Sequence, residues 1–495
     1  ANTGARVFGS RLEYNGYREH SVTENLLVQS KINWRGGDDS DLMVVIRKFH
    51  SPRAEDPGGL TAQQVTLNPR QAHSTNVLFD AGEEVDEETL GLRWRKPLAG
   101  RQEWTLSAQV IHRHFSNRLP FTPGGQVKFE RWAPGASVKY INNRPWFKKS
   151  NRLVAGADVL FQNDDRERFN NHQGVRGATV LKQREIVDSQ GIYLRNELLL
   201  FDDWELTAGG RYDRIHFRVN DSFFSDGNQS GSRTLSQGSG TLGLLYHITP
   251  NSSIYLNGAT VFETPTSTEL LNNPAGTGGF NPNLDPQTSY SVELGWKGRR
   301  VFEYELALFF IRTRDEITPF ELAAFPGRTF FRNAGTSERQ GVEGRIRWPM
   351  TAHWRGTLSY AYSDFEFRDF SVSGVSFAGN RIPGVPRHRV VGQIEYKNPQ
   401  GWFARGQVER VHRFYVNNES TAQNSGYTAS RLELGMEKTW GEMRGGLTFG
   451  MGNLLDERYN GNTRINAAGD RFFEPAPPFN LFGGISLSWV PGGQK

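Results

Sequence analysis

Apolar and polar side chains alternate one for one along most of this chain. Successive side chains of a β-strand point to opposite faces, so the alternation predicts strands from end to end. Trp204, Leu206, Ala208, Gly210 and Tyr212 share one face, while Glu205, Thr207, Gly209, Arg211 and Asp213 share the other. The same design returns in Tyr290, Val292, Leu294 and Trp296 against Ser291, Glu293, Gly295 and Lys297. It recurs in Leu358, Tyr360 and Tyr362, in Leu432, Leu434 and Met436, and in Ile485, Leu487 and Trp489. Short polar connections are expected at Gly36–Ser40, Asn142–Ser150, Phe201–Trp204, Thr249–Ser252, Asn398–Gly401 and Trp440–Glu442. Long irregular ones are expected at Ser51–Glu88, Asp164–Arg184, Asn220–Ser232, Glu263–Asp285, Arg368–Pro386 and Asn453–Phe479. Counting segments this way gives about twenty strands. Short turns alternating with long loops express an outer-membrane barrel, so the predicted fold class is all-β, a large antiparallel transmembrane β-barrel. A soluble propeller would repeat every 40 residues or so, and a sandwich of this length would need several domains joined by linkers; neither pattern is evident.

Composition changes the picture in a few respects. Only 36% of residues are hydrophobic and mean hydropathy is −0.59, and no run approaches the roughly 18 apolar residues that a spanning helix needs. A barrel escapes that test because only alternate residues meet lipid. The 33 Phe, 15 Tyr and 12 Trp suit the aromatic belts at both membrane interfaces. Cysteine is absent, which excludes disulfides, thiol catalysis and thiolate metal sites. The net charge of +5 is spread among interspersed arginines and carboxylates, so nucleic acid is not an expected partner. No charged segment followed by an apolar stretch opens the chain.

Several loop motifs together resemble the TonB-dependent receptors of Gram-negative outer membranes. They are Phe262-Glu263-Thr264-Pro265-Thr266 with Glu269-Leu270-Leu271, then Asn281-Pro282-Asn283-Leu284-Asp285-Pro286-Gln287-Thr288. Arg332-Asn333-Ala334-Gly335 precedes Arg339-Gln340-Gly341-Val342-Glu343. Arg381-Ile382-Pro383-Gly384-Val385-Pro386-Arg387, Asn453-Leu454-Leu455-Asp456-Glu457-Arg458-Tyr459 and Arg471-Phe472-Phe473-Glu474-Pro475-Ala476-Pro477 complete the set. Prolines cannot donate to a sheet ladder and belong where strands leave the membrane, so most of these residues are expected to be architectural. The resemblance implies a barrel of roughly 22 strands, a plug folded inside it, and energy from the TonB complex through a segment before the plug. Counted back from the last strand, the one near Val7–Tyr14 would be the family's third. Residues 1–495 are therefore expected to be the barrel alone, with plug, TonB-contacting segment and first hairpin missing. The last strand is expected to run on through Val490–Lys495, leaving Trp489 as the recognition residue for barrel insertion. Implied partners are the TonB complex, the barrel assembly machinery, outer-membrane lipid and lipopolysaccharide, and a small-molecule ligand.

Chemistry is sparse. Gly238-Ser239-Gly240-Thr241-Leu242-Gly243 has the spacing of a dinucleotide-binding turn, but an alternating strand follows it where a helix is required. His112 and His114 share a strand face, expected to be a polar lumen face since a metal site needs a third ligand. The acidic stretch Glu83, Glu84, Asp86, Glu87, Glu88 is expected to be a solvated loop end. No catalytic constellation is evident, and no intrinsic cofactor is expected. Arginines that pair with carboxylate or hydroxamate oxygens and aromatics that stack on planar groups would make a ligand site. The candidates are Phe115, Arg118, Arg166, Arg168, Arg332, Arg387, Tyr415 and Phe472. The resemblance implies a ferric siderophore as cargo, with the redox cofactor pyrroloquinoline quinone as the alternative. A passive porin and a structural docking barrel are the readings from other classes.

Overall fold

The computed structural model describes residues 2–275, 279–372 and 374–489. The expected run through Val490–Lys495 lies outside the described residues, as do residues 276–278 of the loop expected at Glu263–Asp285. Twenty strands form a single sheet. Consecutive strands pair antiparallel, beginning with Asn2–Tyr14 against Thr23–Arg35 and ending with Met443–Gly452 against Asn480–Trp489. Among the described residues these two outermost strands have no further sheet partner, so the sheet carries two free edges.

The register gives the two faces opposite chemistry. Trp34, Leu42, Trp94 and Leu106 lie side by side across four strands, as do Ile32, Val44, Leu92 and Ala108. Most of these side chains are bare although apolar, with Ile32 at 41% and Leu106 at 43% exposure. Contiguous bare apolar rows of this extent fit lipid, not water. The other face is ionic: Arg47 and Arg113 converge on Glu87, and Arg211 binds Asp158 at 2.7 Å and Asp213 at 2.6 Å. At the short-turn end, Trp104 packs on Tyr140, Trp204 on Tyr246, Trp296 on Tyr304 and Trp354 on Tyr396, with ring centroids 4.6–5.0 Å apart. Such a girdle marks one membrane interface. Some of the abundant glycine serves the ionic face, where a Cβ on Gly295 would sit 2.1 Å from the Tyr255 ring. The aromatic ring fills the space that the missing side chain leaves.

Two segments differ from expectation. Asp164–Arg184 is not a loop but the upper part of a hairpin, Asn151–His172 and Val175–Phe201, closed by Gln173 and Gly174. Both turn residues have positive φ, 51° and 88°, which matches the twist of a two-residue hairpin. Beyond the lipid neither face needs to be apolar, so the alternation that betrays a strand fades. The acidic stretch likewise lies in a strand, Gly82–Leu98, and the loop before it shrinks to residues 56–81. Its side chains alternate sides, with Glu87 buried against the inner arginines and Glu88 turned outward to Lys48 and His112.

Candidate functional site

Several of the long connections fold back over the mouth. The loop after Ser252–Glu263 makes a short helix, Ser267–Leu271, whose start is capped reciprocally by Thr266 and Glu269. Leu270 and Leu284 then pack against Phe217 and Leu235 on the inner wall. Asn333 locks the loop's exit, accepting from the Asp285 amide at 2.7 Å and donating to the Asp285 carbonyl at 2.8 Å. Asn453 organises the last loop in the same way, donating to the carbonyls of Glu457 and Pro477 at 2.9 and 3.2 Å.

This packing brings three arginines, Arg166, Arg168 and Arg328, together with little to neutralise them. Arg166 and Arg168 rise on the inner side of the Asn151–His172 strand, and both are buried. Arg168 donates to Asn272 Oδ1 at 2.7 Å, and Arg328, from the loop before Thr329–Pro349, donates to the same oxygen at 3.1 Å. Asn272 is held by its own donation to the Thr329 carbonyl at 3.1 Å. Arg166 has one carboxylate, Glu185, 2.8 Å away. The nearby Asp164 is already taken by Arg131 in a two-pronged pair at 2.8 and 2.6 Å. Aromatic faces supply what carboxylates do not. Arg131 and Arg166 each lie 5.0 Å from the Phe129 ring, which stacks on Phe115 at 4.9 Å. Arg328 lies 4.7 Å from Phe330, and Arg332 lies 3.9 Å from Phe320.

Donors remain over. Arg166 Nη2, Arg168 Nε and Nη1, Arg328 Nε and Arg332 Nε are buried with no hydrogen-bond partner. An unpartnered buried donor is costly, and a charged one more so. Burial, aided by the charge of Arg166, pushes Arg328 down to about 10 from the ordinary 12.5. The arrangement can therefore accept anionic oxygens from a planar or polydentate ligand, completing hydrogen bonds that the protein leaves open.

Of the eight residues expected to meet ligand, Phe115, Arg166 and Arg168 line this cluster, while Arg332 lies half-buried over the Phe320 ring. Arg118 is tied instead to Glu84 at 2.8 Å and Asp80 at 3.1 Å. Arg387 meets Asp364 at 3.3 Å and lies over Tyr362, which belongs to the outward row of Leu358 and Tyr360. Tyr415 accepts from the Gly384 amide through its backbone carbonyl, and Phe472 is buried with Val416 and Ala467 inside the last loop. Trp489 donates to Glu442 at 3.1 Å across the final short turn. Arg328 and Asn272 were not anticipated from sequence. The signal available was arginine interleaved with phenylalanine in Phe325-Pro326-Gly327-Arg328-Thr329-Phe330-Phe331-Arg332.

A second arginine group joins loops from opposite ends of the chain. Arg464 binds Asp56, and it reaches Glu474 at 2.6 Å. Leu60 and Phe473 exchange backbone hydrogen bonds of 2.9 and 3.0 Å, and Arg18 donates to the Gly58 carbonyl at 2.7 Å. Burial opposes the charge on Arg464, but Asp56 and Glu474 outweigh it and hold its pKa above the ordinary value. These contacts tie the loop before the final strand to the loop after the third strand, and that loop to the one after the first.

Comparison with known proteins places this geometry among relatives. Residues 33–491 match the family model described as TonB dependent receptor-like, beta-barrel. The metal-pseudopaline receptor CntO of Pseudomonas aeruginosa is 23% identical over 96% of this chain and 69% of its own length. The ferrioxamine receptor of Yersinia enterocolitica is 23% identical over 55% of this chain and 36% of its own length. Among solved structures, the unliganded ferric citrate transporter FecA superposes with a TM-score of 0.82 at 16% identity, covering 98% of this chain and 73% of that one. The siderophore receptor PiuA from Acinetobacter baumannii gives 0.77 at 14% identity, covering 98% of this chain and 78% of that one.

Proposed function

The chain belongs to the TonB-dependent receptor-like β-barrel family of the outer membrane, and from that premise we propose that it captures a scarce anionic chelate at its outer mouth for import, with a ferric siderophore as the cargo. One observation carries the reading: Arg166, Arg168 and Arg328 are buried together with donors left open. A protein that needed these charges only for its own folding would pair them with carboxylates, because an uncompensated buried charge destabilises the fold. Oxygen-rich iron chelates offer the missing acceptors, and the phenylalanines beside the guanidiniums offer faces to planar rings. The relatives named for metal-pseudopaline and ferrioxamine support cargo of that class. In this proposal residues 1–495 are the barrel, and the two free sheet edges are what a further hairpin would close, since an open edge is not tolerated in lipid. A plug in the lumen would couple release to the TonB complex.

The test is growth of a receptor-deletion strain on limiting iron with individual ferric chelates, complemented by the wild-type gene or by Arg168→Ala/Arg328→Ala. Rescue by the wild type alone supports the reading, and equal rescue by both sinks it. The same arginine and phenylalanine set also suits pyrroloquinoline quinone, a planar polycarboxylate. Competition between the quinone and the ferric chelate for the purified receptor separates these cargoes. Steady conductance across a planar bilayer without TonB would favour a passive porin, and unimpaired uptake in the deletion strain a docking barrel.

A further inference from the structure

The outward wall carries a group of side chains that the reading above does not use. His112 and His114 follow Leu106, Ala108 and Val110 along the apolar row of Gln102–Arg118, so they face outward and not, as expected from sequence, into the lumen. Register sets His112 beside Glu88 and Trp132, and His114 beside Asp86 and Glu130. The row immediately before this one is Leu90, Val110 and Pro134, so the cluster begins where the apolar belt ends.

We propose that His112, His114 and Glu130 form a site for one divalent transition-metal ion of the zinc and nickel class, on the outer wall of the barrel where it leaves the lipid. One ligand atom from each residue lies within 4.8 Å of the other two. Donors at about 2.0–2.1 Å from a tetrahedral ion stand roughly 3.3 Å apart, so small side-chain rotations close the site. Two imidazoles and a carboxylate are the donor set such ions select over calcium or magnesium, which prefer oxygen alone.

The bland alternative is an exposed network of salt bridges, which needs no ordered imidazole. Here His112 is oriented from three sides. Its Nε2 lies 3.0 Å from Glu130 Oε1, its Nδ1 lies 3.0 Å from Glu88 Oε2, and its ring stacks on Trp132 at 4.4 Å. Glu88 is itself held by Lys48. With Glu88 on Nδ1, a metal ion would take the place of the proton that His112 Nε2 shares with Glu130, so that Glu88 orients the ring as the usual second layer of a histidine–metal site. A contrasting pair shows what is missing elsewhere: His388 and His412 stand edge to face at 5.6 Å, but His388 Nδ1 is bonded to the Tyr360 hydroxyl. Among the described residues, only the first group gathers three ligands. The proposal does not depend on the cargo.

Titration calorimetry of the receptor purified from outer membranes in detergent, stripped with chelator and titrated with Zn²⁺ or Ni²⁺, tests it. One ion per chain is expected, lost in His112→Ala and His114→Ala and unchanged in His388→Ala. Glu88→Gln, which removes only the orienting carboxylate, should weaken binding by about 10–100-fold. Loaded with Cu²⁺, the receptor should show nitrogen hyperfine splitting from two imidazoles in its electron paramagnetic resonance spectrum, reduced in His114→Ala. Heat-modifiable gel mobility confirms that each variant is folded. Absence of saturable binding in the folded receptor, binding unaffected by the histidine variants, or equal competition by Mg²⁺ would each overturn the proposal.

Discussion

The mouth of the barrel holds two arginine clusters that are built alike and finished differently. Arg464 stands between Asp56 and Glu474 and joins the loop before the final strand to the loop after the third. Arg168 and Arg328 share a single amide oxygen and keep donors unfilled. The first lies in loops, the second between a loop and the inner side of the Asn151–His172 strand, and both lose hydration. The first is satisfied by the protein itself, as a latch should be. The second leaves guanidinium donors open, and the proposed capture of an anionic cargo would fill them.

The sharpest way to break the comparison is to remove the unsatisfied charges. Arg168→Ala/Arg328→Ala should reduce affinity for the anionic cargo by about 100-fold or more, since each charged hydrogen bond contributes roughly 1.5–3 kcal/mol. Yet it should not destabilise the unliganded receptor. Arg328 has its folded pKa below its unfolded one, so its charge opposes folding at every pH below about 10, and the isosteric Arg328→Met should raise the melting temperature. Equilibrium binding and calorimetric melting measure the two effects. A fall in both would show that these arginines are merely structural.

Arg464→Ala should do the reverse. It leaves Asp56 and Glu474 without their shared cation, at a local cost of about 2 kcal/mol, between the values for exposed and buried pairs. Hydrogen exchange should accelerate in residues 56–81 and 453–479, while cargo affinity falls less than tenfold. Unchanged exchange in both loops would remove the latch.

A pH series gives a smaller, graded effect. A base whose pKa is depressed loses its charge earlier as pH rises, so Arg328 should discharge through about 10 where an ordinary arginine is still charged. Cargo affinity should hold from neutrality to about pH 9 and then decline severalfold, with Arg328→Lys altering the midpoint. Affinity that stays flat to pH 11 would leave Arg328 outside the binding surface.

The membrane part of the fold was legible because lipid demands it: Trp204 to Tyr212 alternate strictly since one side meets hydrocarbon and the other water. The alternation stops being informative at Asp164, where Arg166, Arg168 and Glu185 belong to strands that have left the bilayer. Three of the expected ligand residues, Phe115, Arg166 and Arg168, lie at the cluster. Arg166 and Arg168 reach it on a strand where a loop was expected, whereas Arg118 is claimed by Asp80 of the neighbouring loop and the loop residue Arg387 by Asp364 of the Trp354–Asp369 strand. His112 and His114 were correctly placed on one face, but which face required the register with Leu90 and Val110.

The smallest effect probes how the cluster is held. Gly174 closes the hairpin that carries Arg166 and Arg168, and its φ of +88° is one that an L side chain adopts with strain. A Cβ there would also lie 3.1 Å from Asp80 Cβ. The tip is fastened by Asn171, which accepts from the Gly174 amide at 2.8 Å and donates to the carbonyls of Phe79 and Leu119 at 3.1 and 2.9 Å. Gly174→Ala should therefore loosen the tip by about 1 kcal/mol without unfolding the barrel. Because the arginines lie several residues down the strand, cargo affinity should fall less than about fivefold, while amide exchange at the tip, residues 171–176, accelerates by a similar factor. A larger loss of affinity than of protection would mean that cargo touches the tip itself, and the binding surface would then extend above the arginines.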